Sequence, residues 1–284
     1  MEFCRFETLE AAFEARANWG DDGQVLAGGT DVMVQYLHGE IAPKALIHIE
    51  GISALSAVTT DGRTALGGLT THRTLARTPT LIARHPALAA AAATVGGWQT
   101  QVKGTVGGNL CNASPAADTL PPLLIADAHV TLSSATGERR LPLGEFILDR
   151  RSTALAANEL LTSVDLESLP EGSAEVYLKL GRRGAMEVAL VGLAVRLGFA
   201  EDGVVDAARI AMCSVGPTPR RIPDAEAALV GSKLDAAALD AAGEAMIAAA
   251  RPIDDARATA AYRRRTQRGL LESAARQCQE QMQR

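Results

Sequence analysis

The sequence predicts a fold of mixed helices and strands, of the α+β or α/β class. Segments with apolar residues at helical spacing alternate with short strand-like runs in the first part of the chain. Beyond residue 172, several strand-like runs follow one another, as in a small antiparallel sheet. This order of elements argues against a sandwich or a helical bundle. With 284 residues, 47% of them hydrophobic, the chain is long enough for one large or two medium domains.

Caps and breakers define the elements of the first part. Thr8 is placed to cap a helix with apolar residues at helical spacing, which Gly20 ends. Thr71 is placed to cap a second helix. Pro86 begins an alanine-rich helix that runs to Ala93. The strand-like runs cover residues 24–26, 45–49 and 64–69.

The turn-rich segment 169–172 separates this part from a second one. The strand-like runs beyond it are fully apolar or have a period of two, and the tail has helical spacing. We therefore expect domains over residues 1–170 and 171–284. The predicted strands are 176–180, 188–199 and 207–215, the predicted helices cover 235–250 and the tail, and the tail's apolar stripe is Tyr262, Thr266, Leu270, Ala274 and Cys278.

Charge and composition exclude several classes of protein. The net charge is −5 and no basic block occurs, whereas nucleic-acid binding needs clustered cations. No window approaches the ~20 apolar residues that span a bilayer. The first residues are acidic where a signal peptide needs a basic end and an apolar core. We expect a soluble cytoplasmic protein with no nucleic-acid partner and no membrane span.

The cysteines and histidines argue against a metal site. The four cysteines lie far apart without a CxxC pair, whereas zinc and iron–sulfur sites need several converging thiolates. The five histidines are scattered, and no HExxH occurs. We therefore expect no metal in this chain.

Two glycine clusters are the main candidates for a binding site. Residues 27–31, with the sequence AGGTD, directly follow a predicted strand, and 104–109, with the sequence GTVGGN, lead into a second loop. Adjacent glycines allow positive φ and let several N–H groups face one point, which suits a diphosphate. Asp118 lies shortly after the second cluster and is placed to bond ribose or ribitol hydroxyls. The alternative is that these glycine pairs are only turns.

The common nucleotide motifs are absent. No G-x-G occurs, which excludes the Rossmann fingerprint, and no Gly-Lys-Ser/Thr occurs, which excludes a Walker A loop. Ser114 lacks the G-x-S-x-G context of a nucleophile.

The sequence from AGGTD to GTVGGNLCNASPAADTLPPLL closely resembles the FAD-binding subunits of the xanthine dehydrogenase and carbon monoxide dehydrogenase family. The resemblance continues through ELLTSVDL, KLGRRGAMEVALVGLAV and ARIAMCSVGPTPRR and covers nearly the whole chain. It implies an α+β fold of the vanillyl-alcohol-oxidase (PCMH) type. Two α+β subdomains, about 1–55 and 56–170, would grip extended FAD. A small α+β domain with an antiparallel sheet and helices would follow.

The resemblance also implies which residues hold FAD. The first cluster would bind the pyrophosphate with its backbone, and the second would form an opposing clamp. Asp118 matches an FAD-contacting aspartate, and Leu161 and Lys179 match positions beside the adenine or the flavin. The implied cofactor residues are Ala27, Gly28, Gly29, Thr30, Asp31, Val32, Thr71, Val95, Thr105, Val106, Gly107, Gly108, Asn109, Asp118, Leu161 and Lys179.

In that family, this chain would pass electrons between partners. A large subunit would carry the molybdopterin cofactor, a small subunit two [2Fe–2S] clusters, and the complex would be a dimer of heterotrimers. Electrons would leave to an external acceptor, and no catalytic acid or base is expected here. Two alternatives remain: a self-contained FAD oxidoreductase of the same fold, and a non-catalytic nucleotide-sensing or interaction module. Turnover by the isolated chain would favour the former, and a colourless protein the latter.

Overall fold

A small parallel sheet begins the chain in the computed structural model, which describes residues 1–283. Its strands lie in the order β1-β3-β2, and both pairings are parallel. Parallel strands need crossover connections, and helices lie in the connections between these strands. The elements are β1 (Glu2–Arg5), α1 (Leu9–Trp19), β2 (Gly23–Leu26), α2 (Val32–Leu37) and β3 (Ala45–His48).

The ends of α1 confirm the prediction from its caps. The Thr8 hydroxyl accepts a hydrogen bond from the N–H of Ala11, which satisfies one of the helix's free amides. Gly20 ends the helix with φ of 49°, which glycine adopts without a steric penalty. The helix packs through Ala12 and Ala15 against a small core that includes Ile47.

The second unit covers residues 58–166. An antiparallel sheet with the strand order β4-β5-β10-β6-β7 forms its centre. Phe146 is fully buried in the core beneath it. Thr71 caps α3 by accepting a hydrogen bond from the N–H of Thr74, as predicted. The elements are β4 (Val58–Thr59), β5 (Thr64–Gly67), α3 (His72–Arg77), α4 (Pro79–Arg84), α5 (Pro86–Ala93), α6 (Trp98–Lys103), α7 (Val106–Asn112), α8 (Leu120–Ile125), β6 (His129–Ser134), β7 (Gly137–Pro142), α9 (Leu143–Phe146), β8 (Ile147–Asp149), β9 (Ser152–Thr153) and β10 (Leu160–Leu166).

A further antiparallel sheet, β11-β12-β13-β14, called the third sheet below, follows and has helices on both faces. Helices α10 and α12 pack against one face, while α5 and α8 from the second unit pack against the other. Because both faces are covered, β12 is buried along nearly its whole length. The elements are β11 (Ser173–Leu180), β12 (Val191–Phe199), β13 (Val205–Cys213), β14 (Arg220–Arg221), α10 (Pro223–Leu229), α11 (Ala236–Ala249) and α12 (Ala260–Met282). Antiparallel pairing in the two larger sheets, beside one small parallel sheet, makes the chain α+β, as the resemblance implies.

The predicted apolar stripe of the last helix is partly wrong. Tyr262 is exposed, whereas Arg263 and Gln267 are buried. Arg263 is turned inward because its guanidinium donates to the carbonyls of Leu190 and Ser214 and pairs with Asp255. The buried face of α12 consists of Arg263, Gln267, Leu271, Ala274, Ala275 and Cys278.

Among residues 1–283, no helix combines the length and the apolar character that crossing a membrane requires.

Candidate functional site

A cavity of about 570 Å³ lies where the first sheet meets the second unit. Its volume is within the range of small-molecule and cofactor sites. Both glycine clusters line it, together with residues of α1, β2 and the start of β10. The fold therefore brings the two predicted clusters to one site.

The first glycine cluster is a tight turn between β2 and α2. Gly29 has φ of +71°, a conformation that side chains rarely adopt. Gly28 is required for a different reason: a Cβ there would lie 1.7 Å from the carbonyl oxygen of Lys103. Because Lys103 directly precedes the second cluster, the two turns are in backbone contact.

The main-chain amides of the first turn are available to a ligand. Among the described residues, the N–H groups from Gly28 to Val32 donate to no acceptor. All five of these residues line the cavity. Successive backbone N–H groups at such a turn form an anion-binding concavity, and hydrogen bonds to a charged acceptor are stronger than neutral ones. The turn fits a diphosphate.

The second cluster is the start of helix α7, so the expected loop of exposed amides is wrong here. Thr105 caps this helix by accepting from the N–H of Gly108 at 3.0 Å. The N–H groups of Val106, Gly107 and Asn109 also donate to protein carbonyls. A Cβ on Gly107 would lie 2.6 Å from the carbonyl oxygen of Gly68, so this glycine is needed for close packing.

At the second turn, the Asn109 side chain can donate a hydrogen bond to a ligand, as the main-chain amides can at the first turn. Asn109 lines the cavity, and its Oδ1 accepts a hydrogen bond from the Thr119 hydroxyl at 2.6 Å. This bond fixes the amide and leaves its Nδ2 group as a donor. The second turn therefore contributes shape and the Asn109 side chain.

Polar groups surround one end of the cavity. Burial raises the pKa of Asp31. The charge of Arg151 and a hydrogen bond with Asn112 act in the opposite direction and partly offset this rise. Gln35 Nε2 donates to Asn112 Oδ1 at 2.9 Å, and Arg151 donates to the same oxygen. All four residues line the cavity.

A buried cation lies at the same cavity. Arg16 is only 7% exposed, and its guanidinium donates to the carbonyls of Gly20, Gly23 and Glu159. Burial lowers the pKa of this guanidinium, and the charge of Asp21 acts in the opposite direction. A positive charge near the last turn of α1 also suits the helix dipole.

His72 lines the cavity as a neutral side chain. Burial lowers its pKa to about 4, because a charged imidazolium is poorly solvated there.

Twelve of the sixteen predicted cofactor residues line this cavity. Thr71 lies outside it, where it caps α3 and its backbone pairs with Thr105. Val106 is fully buried in the core. Asp118 and Lys179 form a separate buried pair, with Lys179 Nζ 2.8 Å from Asp118 Oδ2. The residues that line the cavity are Ala27, Gly28, Gly29, Thr30, Asp31, Val32, Val95, Thr105, Gly107, Gly108, Asn109 and Leu161.

A second cavity of about 450 Å³ is lined in part by residues that directly follow Val95 in the sequence. Val95 lines the first cavity, and the next residues, Gly96 and Gly97, line the second. Lys179 lines the second cavity, so its pair with Asp118 lies beside this second cavity.

Several lining residues were not predicted from the sequence. Arg16, His72 and Arg151 become part of the cavity because segments distant in sequence come together. Asn112 and Cys111 lie within the quoted motif, but no spacing rule marks them. Arg16 and Arg151 are isolated charges that look like surface residues in the sequence. These unpredicted residues include Arg16, Gln35, His72, Cys111, Asn112 and Arg151.

The fold and the site define an α+β protein that binds a dinucleotide without a Rossmann motif. A family model described as the FAD binding domain in molybdopterin dehydrogenase matches residues 1–168. The CO dehydrogenase flavoprotein C-terminal domain matches residues 175–278. The chain therefore belongs to the family of FAD-binding subunits of molybdenum-containing dehydrogenases, and it is a flavoprotein of the oxidoreductase class with FAD as its cofactor.

Curated relatives are similar over most of their length. The 6-hydroxypseudooxynicotine dehydrogenase complex subunit alpha of Paenarthrobacter nicotinovorans is 31% identical over 273 residues, which are 96% of this chain and 92% of the relative. The carbon monoxide dehydrogenase medium chain of Hydrogenophaga pseudoflava is 32% identical over 246 residues, covering 86% and 85%. These relatives are subunits of multi-subunit enzymes.

A solved structure confirms the fold. Carbon monoxide dehydrogenase from Hydrogenophaga pseudoflava, in a form that lacks the Mo-pyranopterin moiety of the molybdenum cofactor, superposes with a TM-score of 0.94. The identity is 28%, and the match covers 99% of this chain and 97% of that chain. The predicted two-subdomain FAD-binding fold with its additional α+β unit is therefore confirmed.

Proposed function

We propose that this chain is the electron-transfer subunit of a heterotrimeric molybdenum hydroxylase. It takes electrons from [2Fe–2S] clusters of a small partner subunit and passes them to an external acceptor. A large partner subunit carries the molybdopterin cofactor and oxidises the organic substrate. The assembly is a dimer of such heterotrimers. The cytoplasmic location expected from the sequence also stays a proposal.

The observation that carries the cofactor-binding part of this proposal is the row of available amides from Gly28 to Val32 in a cavity of about 570 Å³. A diphosphate there would receive several hydrogen bonds from groups that have no other acceptor among the described residues. Each such bond to a charged oxygen contributes about 1.5–3 kcal/mol. The first turn therefore supports a dinucleotide bound through its centre.

The remaining predicted residues take roles along the cofactor. Val95 and Leu161 line the cavity with apolar side chains. Leu161 and Lys179 would lie beside the adenine or the flavin. Asn109 opposes the first turn with its amide. Asp118 and Lys179 hold a charged pair beside the second cavity. When bound, FAD supplies the redox chemistry, while the chain supplies binding, orientation and electrostatics.

The domain limits follow the same proposal. Residues 1–170 hold the cofactor, in subdomains of about 1–55 and 56–170. Residues 171–284 form the additional unit, whose sheet packs on α5 and α8.

The names of the relatives support partner subunits. One is called a complex subunit alpha and another a medium chain, so each belongs to a larger assembly. The carbon monoxide dehydrogenase that superposes on this chain is described with a molybdenum cofactor.

The experiment that tests the function compares the isolated chain with the native complex. We expect affinity purification of the tagged chain from its native cells to recover two further subunits, with molybdenum and iron by metal analysis. The isolated chain should bind FAD but not oxidise organic donors. Turnover of an organic donor by the isolated chain would instead indicate a self-contained flavoenzyme, and recovery without molybdenum or iron would contradict the heterotrimer.

A further inference from the structure

The Asp118 carboxylate is held by two side chains from one strand of the third sheet. The Tyr177 hydroxyl donates to Asp118 Oδ1 at 2.6 Å, and Lys179 Nζ donates to Oδ2 at 2.8 Å. Residues two apart on a strand point to the same face, so β11 presents both donors together. Lys179 also donates to the carbonyl of Thr94 at 3.0 Å, beside the second cavity.

The Tyr177 ring fits a space left by small side chains. Tyr177 is 7% exposed and packs in a cluster with residues of α5, α8, β12 and β13. The larger part of this cluster is alanine, so the ring fills the gap between the sheet and the two helices. The cluster consists of Ala87, Ala91, Ile125, Tyr177, Ala194 and Ala211.

A backbone hydrogen bond fixes the same loop to the residue that follows β13. The N–H of Ser214 donates to the carbonyl of Pro115 at 2.7 Å. The loop that carries Asp118 is thus attached to the third sheet at both Pro115 and Asp118. This double attachment leaves the carboxylate little freedom to turn.

The charges around Asp118 favour one arrangement. Burial raises the pKa of Asp118, whereas the charge and hydrogen bond of Lys179 and the hydrogen bond of Tyr177 oppose this. Burial also raises the pKa of Tyr177, so its hydroxyl stays protonated and can only donate to a carboxylate. The Cys213 thiol is the other titratable group here, and burial raises its pKa to about 12.

We propose that Tyr177 is a positioning residue of the FAD site. Its hydroxyl holds one oxygen of Asp118, which turns the other oxygen toward Lys179 and keeps that ammonium at the edge of the second cavity. Tyr177 acts through Asp118 and does not touch the cofactor. The inference rests on the proposed role of Asp118 and Lys179 at FAD.

The test is a double-mutant cycle on FAD affinity with the full-length chain stripped of flavin. Tyr177→Phe keeps the ring and removes the hydroxyl, and Asp118→Asn removes the charge. We expect Tyr177→Phe to raise the Kd for FAD about tenfold, which corresponds to about 1.4 kcal/mol. In the Asp118→Asn background, Tyr177→Phe should raise the Kd for FAD by less than about twofold, because the effects of coupled residues are not additive.

The pH dependence separates positioning from simple destabilisation. As the pH falls, Asp118 takes up a proton and its pair with Lys179 is lost. Without the Tyr177 hydroxyl the pKa of Asp118 rises, so FAD affinity should decline at a higher pH in Tyr177→Phe than in the wild type. Thr64→Val is the matched control, since it removes a buried hydroxyl bonded to His85 at 2.7 Å away from the cavities. It should lower the melting temperature but leave the pH profile unchanged.

The outcomes distinguish the two proposals. If Asp118→Asn weakens FAD binding while Tyr177→Phe changes only the melting temperature, the positioning role of Tyr177 is refuted. If neither variant changes the Kd for FAD, both the positioning role and the placement of Asp118 at the cofactor are refuted. A tenfold effect of Tyr177→Phe that is equal in both backgrounds also contradicts action through Asp118.

Discussion

Gly28 and Lys103 are in direct backbone contact, because a Cβ on Gly28 would lie only 1.7 Å from the Lys103 carbonyl oxygen. Gly28 belongs to the turn after β2, and Lys103 is the last residue of α6, just before the second glycine cluster. This contact joins the first sheet to the second unit.

Gly28→Ala tests this contact. The Lys103 backbone must move to accommodate the methyl group, and overpacking of this kind costs about 1–3 kcal/mol of unfolding free energy. We expect urea unfolding to show that loss and FAD binding to weaken. Gly269→Ala is the control, since a Cβ there meets nothing within 4 Å. This exposed position within α12 should gain about 0.5–1 kcal/mol from alanine. A Gly28→Ala variant with wild-type stability and FAD affinity would contradict the assigned contact.

Gly29→Ala and Gly39→Ala form a matched pair. Both glycines have φ of +71°, so alanine is strained at either position by about 1–2 kcal/mol. A Cβ on Gly39 meets nothing within 4 Å, whereas one on Gly29 would lie 3.2 Å from the Met33 side chain. Fluorescence titration should show weaker FAD binding only for Gly29→Ala, because only Gly29 belongs to the amide-bearing turn. Equal FAD affinity in the two variants would show that this turn does not hold the cofactor.

The ion pair of Arg263 with Asp255 predicts how stability depends on pH. Burial acts to raise the pKa of Asp255, but hydrogen bonds from the N–H groups of Arg257 and Ala258 and the charge of Arg263 hold it well below the ordinary value of 3.8. A lowered carboxyl pKa stabilises the fold above the unfolded pKa, and this contribution is lost as the pH falls toward the folded pKa.

Asp255→Asn should therefore lower the unfolding free energy at pH 7 by about 1–3 kcal/mol. The difference from wild type should shrink below about pH 4, where the unfolded carboxyl is protonated. Urea unfolding between pH 2 and pH 7 measures both effects. Asp240→Asn is the control, because this carboxylate is half exposed and its pair with Arg268 lies on the surface. A constant difference at every pH would contradict the assignment.

Local signals in the sequence were sufficient for much of the fold. Thr8 and Gly20 define α1 because caps act within a few residues. The face of α12 was predicted wrongly, because Arg263 is turned inward by carbonyls that lie far away in sequence. From the sequence alone, an arginine in a helix is expected to lie on the surface.

The site was also predicted only in part, because the sequence shows local turns but not the contacts between distant segments. The first turn has the glycine with positive φ and the available amides that its sequence suggested. At the second turn, Gly108 is helical and its N–H is bonded to Thr105, so the chemistry differs from the expectation. The partnership of Tyr177 with Asp118 joins residues of two sequence segments, and no local pattern marks it.

The most direct test of cofactor binding is reconstitution of the isolated, flavin-free, folded chain with FAD. A ligand that binds only the native state raises the free energy of unfolding by about 2.7 kcal/mol at a hundredfold excess over its Kd. We expect the melting temperature to rise with added FAD and a flavin absorbance band to remain with the protein after gel filtration. An unchanged melting temperature and a colourless protein would contradict the account.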